Sequence, residues 1–149
     1  MSAFVTAGGG FLAAVLWFDL MFDVQVARRP GGDLPEPVLA SIAAYYARVT
    51  TAARPMNRLI AAVMIATLAA VIVELAEGPR PAWAAWASLA AALAPILLAG
   101  TRTVPAAVRL GQRRDGPAEQ SRLARSVFAQ HLYCLASIAA LLALQLAAF

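Results

Sequence analysis

The sequence predicts an all-α integral membrane protein, a bundle of four transmembrane helices formed by one domain over residues 1–149. Three observations indicate this class: 62% of the residues are hydrophobic, only 13% are charged, and the mean hydropathy is +0.72. Soluble domains have about 25% charged residues. An interfacial amphipathic helix is predicted between the first and second membrane helices.

Four apolar stretches are long enough to cross about 30 Å of hydrocarbon as helices. They cover approximately residues 4–27, 56–76, 82–101 and 126–148. The first stretch lacks a basic start and contains acids in its second half, so we expect it to be retained rather than cleaved as a signal peptide.

Arginine placement predicts the orientation. All twelve basic residues are arginine, and eleven lie in or beside the first and third connections, whereas only Arg80 lies in the second. By the positive-inside rule, the first and third connections face the cytoplasm and both termini lie outside it. Anionic lipids are the expected counter-charge, and no nucleic-acid partner is expected, because basic residues at helix ends are what topology requires.

The segment from about Pro37 to Ala53 has apolar residues at helical spacing, which predicts the interfacial helix. Its Tyr45 and Tyr46 would suit the headgroup level, where an aromatic ring can be half wet. A lid over the carboxylates of the first helix is the functional alternative for this segment.

Small residues predict close helix packing. Gly8, Gly9 and Gly10 would allow a neighbouring helix to approach, and Pro95 with Gly100 predicts a kink or local break. Three small-residue ridges follow four-residue spacing: Ala62, Ala66 and Ala70; Ala84, Ser88 and Ala92; and Ala139, Ala143 and Ala147. A bundle that works alone should hide these ridges, whereas a subunit of a larger complex should leave one facing outward.

Two acids interrupt the first apolar stretch. Asp19 and Asp23 are four residues apart, so they share one helix face. A charge in hydrocarbon costs roughly 2.5 to 3.5 kcal/mol on insertion scales, so such acids face the bundle interior. Counting at about 1.5 Å per residue from the inner arginines places four other polar residues at similar depth. These are Asn57, Arg58, Arg102 and His131.

This depth count predicts a polar pocket in the cytoplasmic half, closed outward by a plug of alanine and leucine. His131 is the candidate catalytic base, with Asp19 and Asp23 as further candidate catalytic residues. Asn57, Arg58 and Arg102 are candidate substrate-binding residues. Two alternatives stay open: a structural ion-pair network that includes a direct Asp19 to Arg102 pair, and a proton or ion path.

Neither a metal nor an organic cofactor is expected. A single histidine and a single cysteine, Cys134, leave too few ligands for the common metal sites, and no nucleotide-binding glycine pattern is present.

The layout resembles small bacterial four-helix membrane proteins related to fungal anthrone oxygenases. The local resemblance lies in Tyr46-Ala47-Arg48, Pro55-Met56-Asn57-Arg58, Val104-Pro105, Arg109-Leu110 and His131. It implies oxidation of an aromatic, polyketide-like substrate without metal or flavin, with His131 as base and Asn57 and Arg58 binding the substrate oxygen. It also implies a bacterial cytoplasmic (inner) membrane as location.

The function predicted from these residues is binding or transformation of a small lipophilic molecule in the intramembrane pocket. One alternative is a non-catalytic accessory subunit that docks on a larger membrane complex, or a homo-oligomer. A proton- or ion-coupled transporter is the second alternative, although the two halves of the chain show no convincing repeat.

The orientation yields the first testable prediction. A tag fused before Met1 or after Phe149 should be accessible from outside the cytoplasm, and a tag within residues 112–117 from inside, because the arginines hold the first and third connections in the cytoplasm. Labelling of tagged cells with an impermeant reagent measures this. Cytoplasmic labelling of both termini would contradict it.

Overall fold

The structure is a computed structural model that describes residues 1–29, 31–78 and 81–148. These residues form helices and short connections, with no strand among them. Arg80 and Phe149, which entered the orientation argument, lie outside the described residues.

Six α-helices and two π-helical segments follow one another in the described part of the chain. The helices are α1 (Ser2–Ala27), α2 (Glu36–Ala47), α3 (Arg54–Ala76), α4 (Ala82–Leu98), α5 (Val104–Gln112) and α6 (Pro117–Ala148). The π-helical segments, Arg48–Ala52 and Ala99–Thr103, join α2 to α3 and α4 to α5.

Four helices are long and apolar enough to cross a membrane, which confirms the predicted number. They are Ser2–Ala27, Pro55–Ala76, Ala82–Gln112 and Pro117–Ala148. The last begins earlier than the predicted stretch, because its first turns carry exposed charged residues that apolar patterning does not detect. The third continues past residue 101 through the π-helical segment Ala99–Thr103, which is the local break that Pro95 and Gly100 predicted.

The apolar face of helix α2 packs against other helices of the bundle. Leu39 and Ile42 are buried in one cluster with Leu110 of α5 and with Leu123 and Val127 of α6. Tyr46 belongs to the same cluster and is only 2% exposed, so the half-wet environment predicted for its ring is wrong. Its ring is enclosed by protein because its hydroxyl bonds to a buried carboxylate of α1.

The four long helices form a second apolar cluster farther from α2. Val5, Leu12, Val71, Ala92 and Leu141 are its buried members. A methyl group added at Gly8 would collide with the Thr67 side chain, whereas one at Gly10 would meet nothing within 4 Å. The glycine run therefore permits the close approach of α3 to α1 that small residues predicted.

The first and third connections lie together at one end of the bundle. Arg113 forms two hydrogen bonds of 2.8 Å with the Glu36 carboxylate, and Arg125 Nη2 donates to the Gly32 carbonyl at 2.6 Å. The hydrogen bonds from Arg113 lower the pKa of Glu36 below its usual range. Most of the arginines thus share one end of the molecule.

The small-residue ridges divide between the inside and the outside. Ala84, Ser88 and Ala92 of α4 are buried between helices. The ridge of α6 and most of the ridge of α3 face outward instead, with exposed alanines at positions 62, 66, 139, 143 and 147, whereas Ala70 of α3 is half-buried against the second apolar cluster. By the criterion stated above, this exposure favours packing against another molecule.

Gly111 sets how closely α5 lies against α2. A Cβ atom added there would lie 2.6 Å from the backbone nitrogen of Ala47 and 3.0 Å from the carbonyl carbon of Tyr46. Because backbone atoms cannot rotate away, Gly111→Ala should lower the free energy of unfolding by about 1 to 3 kcal/mol. Denaturant titration in detergent micelles measures it.

Gly10→Ala is the matched control. It adds the same methyl group in open space within a helix, so it should leave stability unchanged or raise it by up to about 1 kcal/mol. Equal effects of the two substitutions would show that the contact between α5 and α2 is looser than described.

Candidate functional site

Helix α1 presents both acids toward the other helices. Asp23 is completely buried, and the Asp19 side chain is 17% exposed. They occupy one face because four residues advance the helix by about one turn. Trp17 and Met21, two larger side chains of the same stretch, are more than half exposed.

Two tyrosines and a histidine surround these carboxylates. The Tyr46 hydroxyl donates to Asp23 Oδ1 at 2.7 Å, and Tyr45 donates to Asp19 Oδ1 at 2.6 Å. His131 Nδ1 lies 2.7 Å from Asp23 Oδ2. Each oxygen of Asp23 therefore has a strong partner, which a buried carboxylate requires.

The tyrosines are held in place by contacts on both sides. The Tyr45 ring stacks on Phe22 of α1 with ring centroids 4.0 Å apart, and the Thr50 hydroxyl donates to the Tyr46 carbonyl at 2.6 Å. Burial, together with the adjacent carboxylates, raises the pKa of Tyr45 and of Tyr46. Both hydroxyls thus stay protonated and act as donors.

The contact with Asp23 determines how His131 can react. A carboxylate only accepts hydrogen bonds, so Nδ1 carries the proton in the neutral ring and Nε2 is left as an acceptor. Nε2 lies 3.9 Å from Asp19 Oδ2, too far for a hydrogen bond. Asp23 thus orients the ring and would stabilise the imidazolium if Nε2 took up a proton, as the carboxylate of a catalytic triad does.

Asp19, Tyr45, Tyr46 and His131 line a cavity of about 510 Å³. Ligand pockets usually measure roughly 300 to 1,000 Å³. Thr50 and Asn57 add polar groups, whereas most of the remaining wall is aliphatic. The cavity is thus apolar with polar groups from α1, α2, α3, α6 and the π-helical segment Arg48–Ala52, as is typical of sites for small molecules.

The predicted site residues divide into two groups. Asp19, Asp23 and His131 come together, and Asn57 lines the cavity while its amide donates to the Thr50 carbonyl at 2.8 Å. Arg58 and Arg102 are exposed instead. Among the described residues neither arginine forms an ion pair, so the predicted ion-pair network and the pair between Asp19 and Arg102 are wrong.

The physical reason is the rotation of each helix. Depth along a helix follows from the rise per residue, but the direction of a side chain depends on its angle around the axis. Arg58 follows Asn57 directly and is rotated by about 100° away from it. The acids have Tyr45, Tyr46 and His131 as their partners instead: both oxygens of Asp23 and one oxygen of Asp19 take part in hydrogen bonds.

The described residues contain no group of three His, Cys, Asp or Glu side chains arranged to hold a metal ion. Both oxygens of Asp23 and Nδ1 of His131 are already engaged in contacts with each other and with Tyr46.

A second polar cluster lies in the other half of the bundle, where a plug of alanine and leucine was predicted. Glu74, Ser88 and Gln145 are at most 5% exposed, and Gln145 Nε2 lies 2.9 Å from Glu74 Oε2 and 3.3 Å from Ser88 Oγ. The sequence predicts little polar chemistry in this half beyond Glu74, Glu77 and Gln145, and the structure joins two of these residues to Ser88 in one buried cluster within the predicted plug. The sequence feature that could have indicated this cluster is the presence of one polar residue on each of three helices, at similar distances from the helix ends.

Comparison with known proteins adds no assignment: no protein-family model, curated protein or solved structure matches this chain.

The different burial of the two tyrosines gives a testable prediction. Tyr46→Phe leaves a fully buried oxygen of Asp23 without its donor and should lower the free energy of unfolding by about 1 to 3 kcal/mol. Tyr45→Phe should cost only about 0.5 to 1.5 kcal/mol, because Asp19 borders a cavity that water can enter. Denaturant titration of both variants in the same detergent provides the comparison.

Tyr133→Phe serves as the control, because Tyr133 is 49% exposed and its change should stay within about 0.5 kcal/mol. A Tyr46→Phe variant as stable as this control would refute the claim that Asp23 depends on the tyrosine.

Proposed function

We propose that this protein binds a small lipophilic molecule in the cavity and acts on a proton of that molecule through His131. The observation that carries the proposal is the combination of a cavity of about 510 Å³ with an oriented imidazole in its wall. An apolar cavity selects a lipophilic ligand, and a few polar groups fix its orientation.

The chemistry proposed for the site is general-base catalysis. Nε2 of His131 accepts a proton from the ligand, and Asp23 stabilises the resulting imidazolium across the 2.7 Å contact. Asp23 is then a positioning residue, and His131 together with Asp19 faces the ligand. The resemblance to anthrone oxygenases implies oxidation without metal or flavin, in which dioxygen would take the electrons of the deprotonated ligand.

The proposed location is a bacterial cytoplasmic membrane, crossed four times with both termini outside the cytoplasm. The four apolar helices and the shared basic end of the bundle support it. The cavity would then lie in the cytoplasmic half, with α2 at the inner membrane surface and anionic headgroups near the exposed arginines.

A second candidate function is that of an accessory subunit, or a member of a homo-oligomer. The outward alanine ridges of α3 and α6 favour it, because small residues on a lipid-exposed face allow a second helix to approach closely. A bundle could hold a ligand and also occupy a larger assembly.

Two adjacent alanines of α3 separate these functions. Ala61 lines the cavity, whereas Ala62 belongs to the outward ridge. Ala61→Phe should narrow the cavity and remove a bound lipophilic molecule, and Ala62→Phe should retain it. Native mass spectrometry of the protein purified in mild detergent detects the bound molecule as added mass.

The same mass spectra also report the mass of any complex that the protein forms. If the protein is a subunit, Ala62→Phe should lower the mass of the complex and Ala61→Phe should preserve it. Retention of the added mass by Ala61→Phe, at unchanged stability, would place the ligand outside the cavity and overturn the proposed function.

A further inference from the structure

We propose that the molecule bound in the cavity is a lipophilic amine, held as its ammonium ion between Asp19 and His131. This inference rests on the proposed function, since it assigns a chemical class to the ligand of the same cavity. It is carried by the charge of the wall, by two facing acceptor atoms, and by the aromatic rings beside them.

The charge of the cavity wall is negative when the carboxyl groups of Asp19 and Asp23 are ionised. Asp19 lines the cavity, Asp23 lies directly behind His131, and no described side chain that lines the cavity belongs to an arginine. One imidazolium would at most balance one of the two carboxylates. A carboxylate or phosphate ligand would therefore meet repulsion, whereas a cation would supply the missing charge.

Two acceptor atoms face each other without a donor between them. Tyr45 occupies Asp19 Oδ1, but Asp19 Oδ2 accepts no hydrogen bond from the described residues. The nearest polar atom is His131 Nε2 at 3.9 Å, which is also an acceptor when Nδ1 donates to Asp23. A primary or secondary ammonium group has at least two N–H donors and can bond both atoms at once. A hydroxyl group has one donor and can satisfy only one of them.

Aromatic rings complete the environment of a cation. Phe18, Tyr45 and Tyr46 line the cavity beside Asp19, and Phe22 stacks against the Tyr45 ring from behind. Ring faces attract ammonium groups, and the attraction increases where water is excluded. The aliphatic part of the wall, which includes Leu16, Ile60 and Met64, would then hold the apolar body of the amine.

Three probes with a common body test the proposal: phenylbutylamine, phenylbutanol and phenylbutyrate. The full-length protein is placed in nanodiscs of zwitterionic lipid, so that lipid charge does not attract the amine, and binding is measured by calorimetry against empty nanodiscs. The amine should bind at least about tenfold more tightly than the alcohol, because hydrogen bonds and ion pairing to a charged group are lost in the alcohol. Phenylbutyrate should bind most weakly.

Asp19→Asn should remove the preference of about tenfold for the amine by weakening the binding of phenylbutylamine more than that of phenylbutanol. The variant retains an oxygen that accepts from Tyr45, so it should fold. Asp33→Asn is the matched control, because it makes the same change in net charge at an exposed residue of the first connection. It should bind all three probes as the unmodified protein does.

The outcomes separate the inference from the function on which it rests. Binding of phenylbutanol or phenylbutyrate as tight as that of phenylbutylamine overturns the amine assignment but leaves a lipophilic cavity. A preference for the amine that survives Asp19→Asn also overturns it. If none of the three probes binds above the empty nanodisc, both the amine assignment and the proposed function are overturned.

Discussion

The completely buried carboxylate of Asp23 is the constraint on which the rest of the site depends. A buried charge is tolerated only when its oxygens find donors, and removing one donor leaves a penalty that packing does not recover. Asp23 obtains one donor from Tyr46 on α2 and the other from His131 on α6. Three separate parts of the chain must therefore meet at one carboxyl group, and the same meeting creates a cavity wall with an oriented imidazole.

The number of long helices, their approximate extent and the helical nature of residues 36–47 could be predicted, because each follows from hydrophobic length or from spacing within one segment. The position of α2 could not be predicted in this way. Its apolar face fits an interfacial helix and a buried one equally well, and only the contact with Leu110, Leu123 and Val127 decides between them. Gly111 contributes to that choice through a close backbone approach that no periodicity reveals.

The depth of the candidate site along the helices could be predicted, but the direction in which each side chain points could not. Asp19, Asp23 and His131 lie at one level, as counting residues indicated, yet Arg58 and Arg102 at similar depth turn away from the cavity. Charge complementarity suggested arginine as the partner of a buried acid, whereas the fold uses the neutral hydroxyls of Tyr45 and Tyr46. A hydroxyl donates a hydrogen bond to a carboxylate without neutralising its charge, so the site keeps the negative charge of its carboxylates.

The dependence of Asp23 on α6 has a consequence for biosynthesis. Helix α1 leaves the ribosome first, while Tyr46 follows 23 residues later and His131 follows 108 residues later. In a membrane, the two acids would oppose insertion of α1 by roughly 2.5 to 3.5 kcal/mol each at the helix centre until donors arrive. The tyrosines of α2 are the first donors to emerge, so α2 can shield the nascent first helix while the remaining helices are made. Completion of α6 then supplies the second donor and fixes the first helix in the finished bundle.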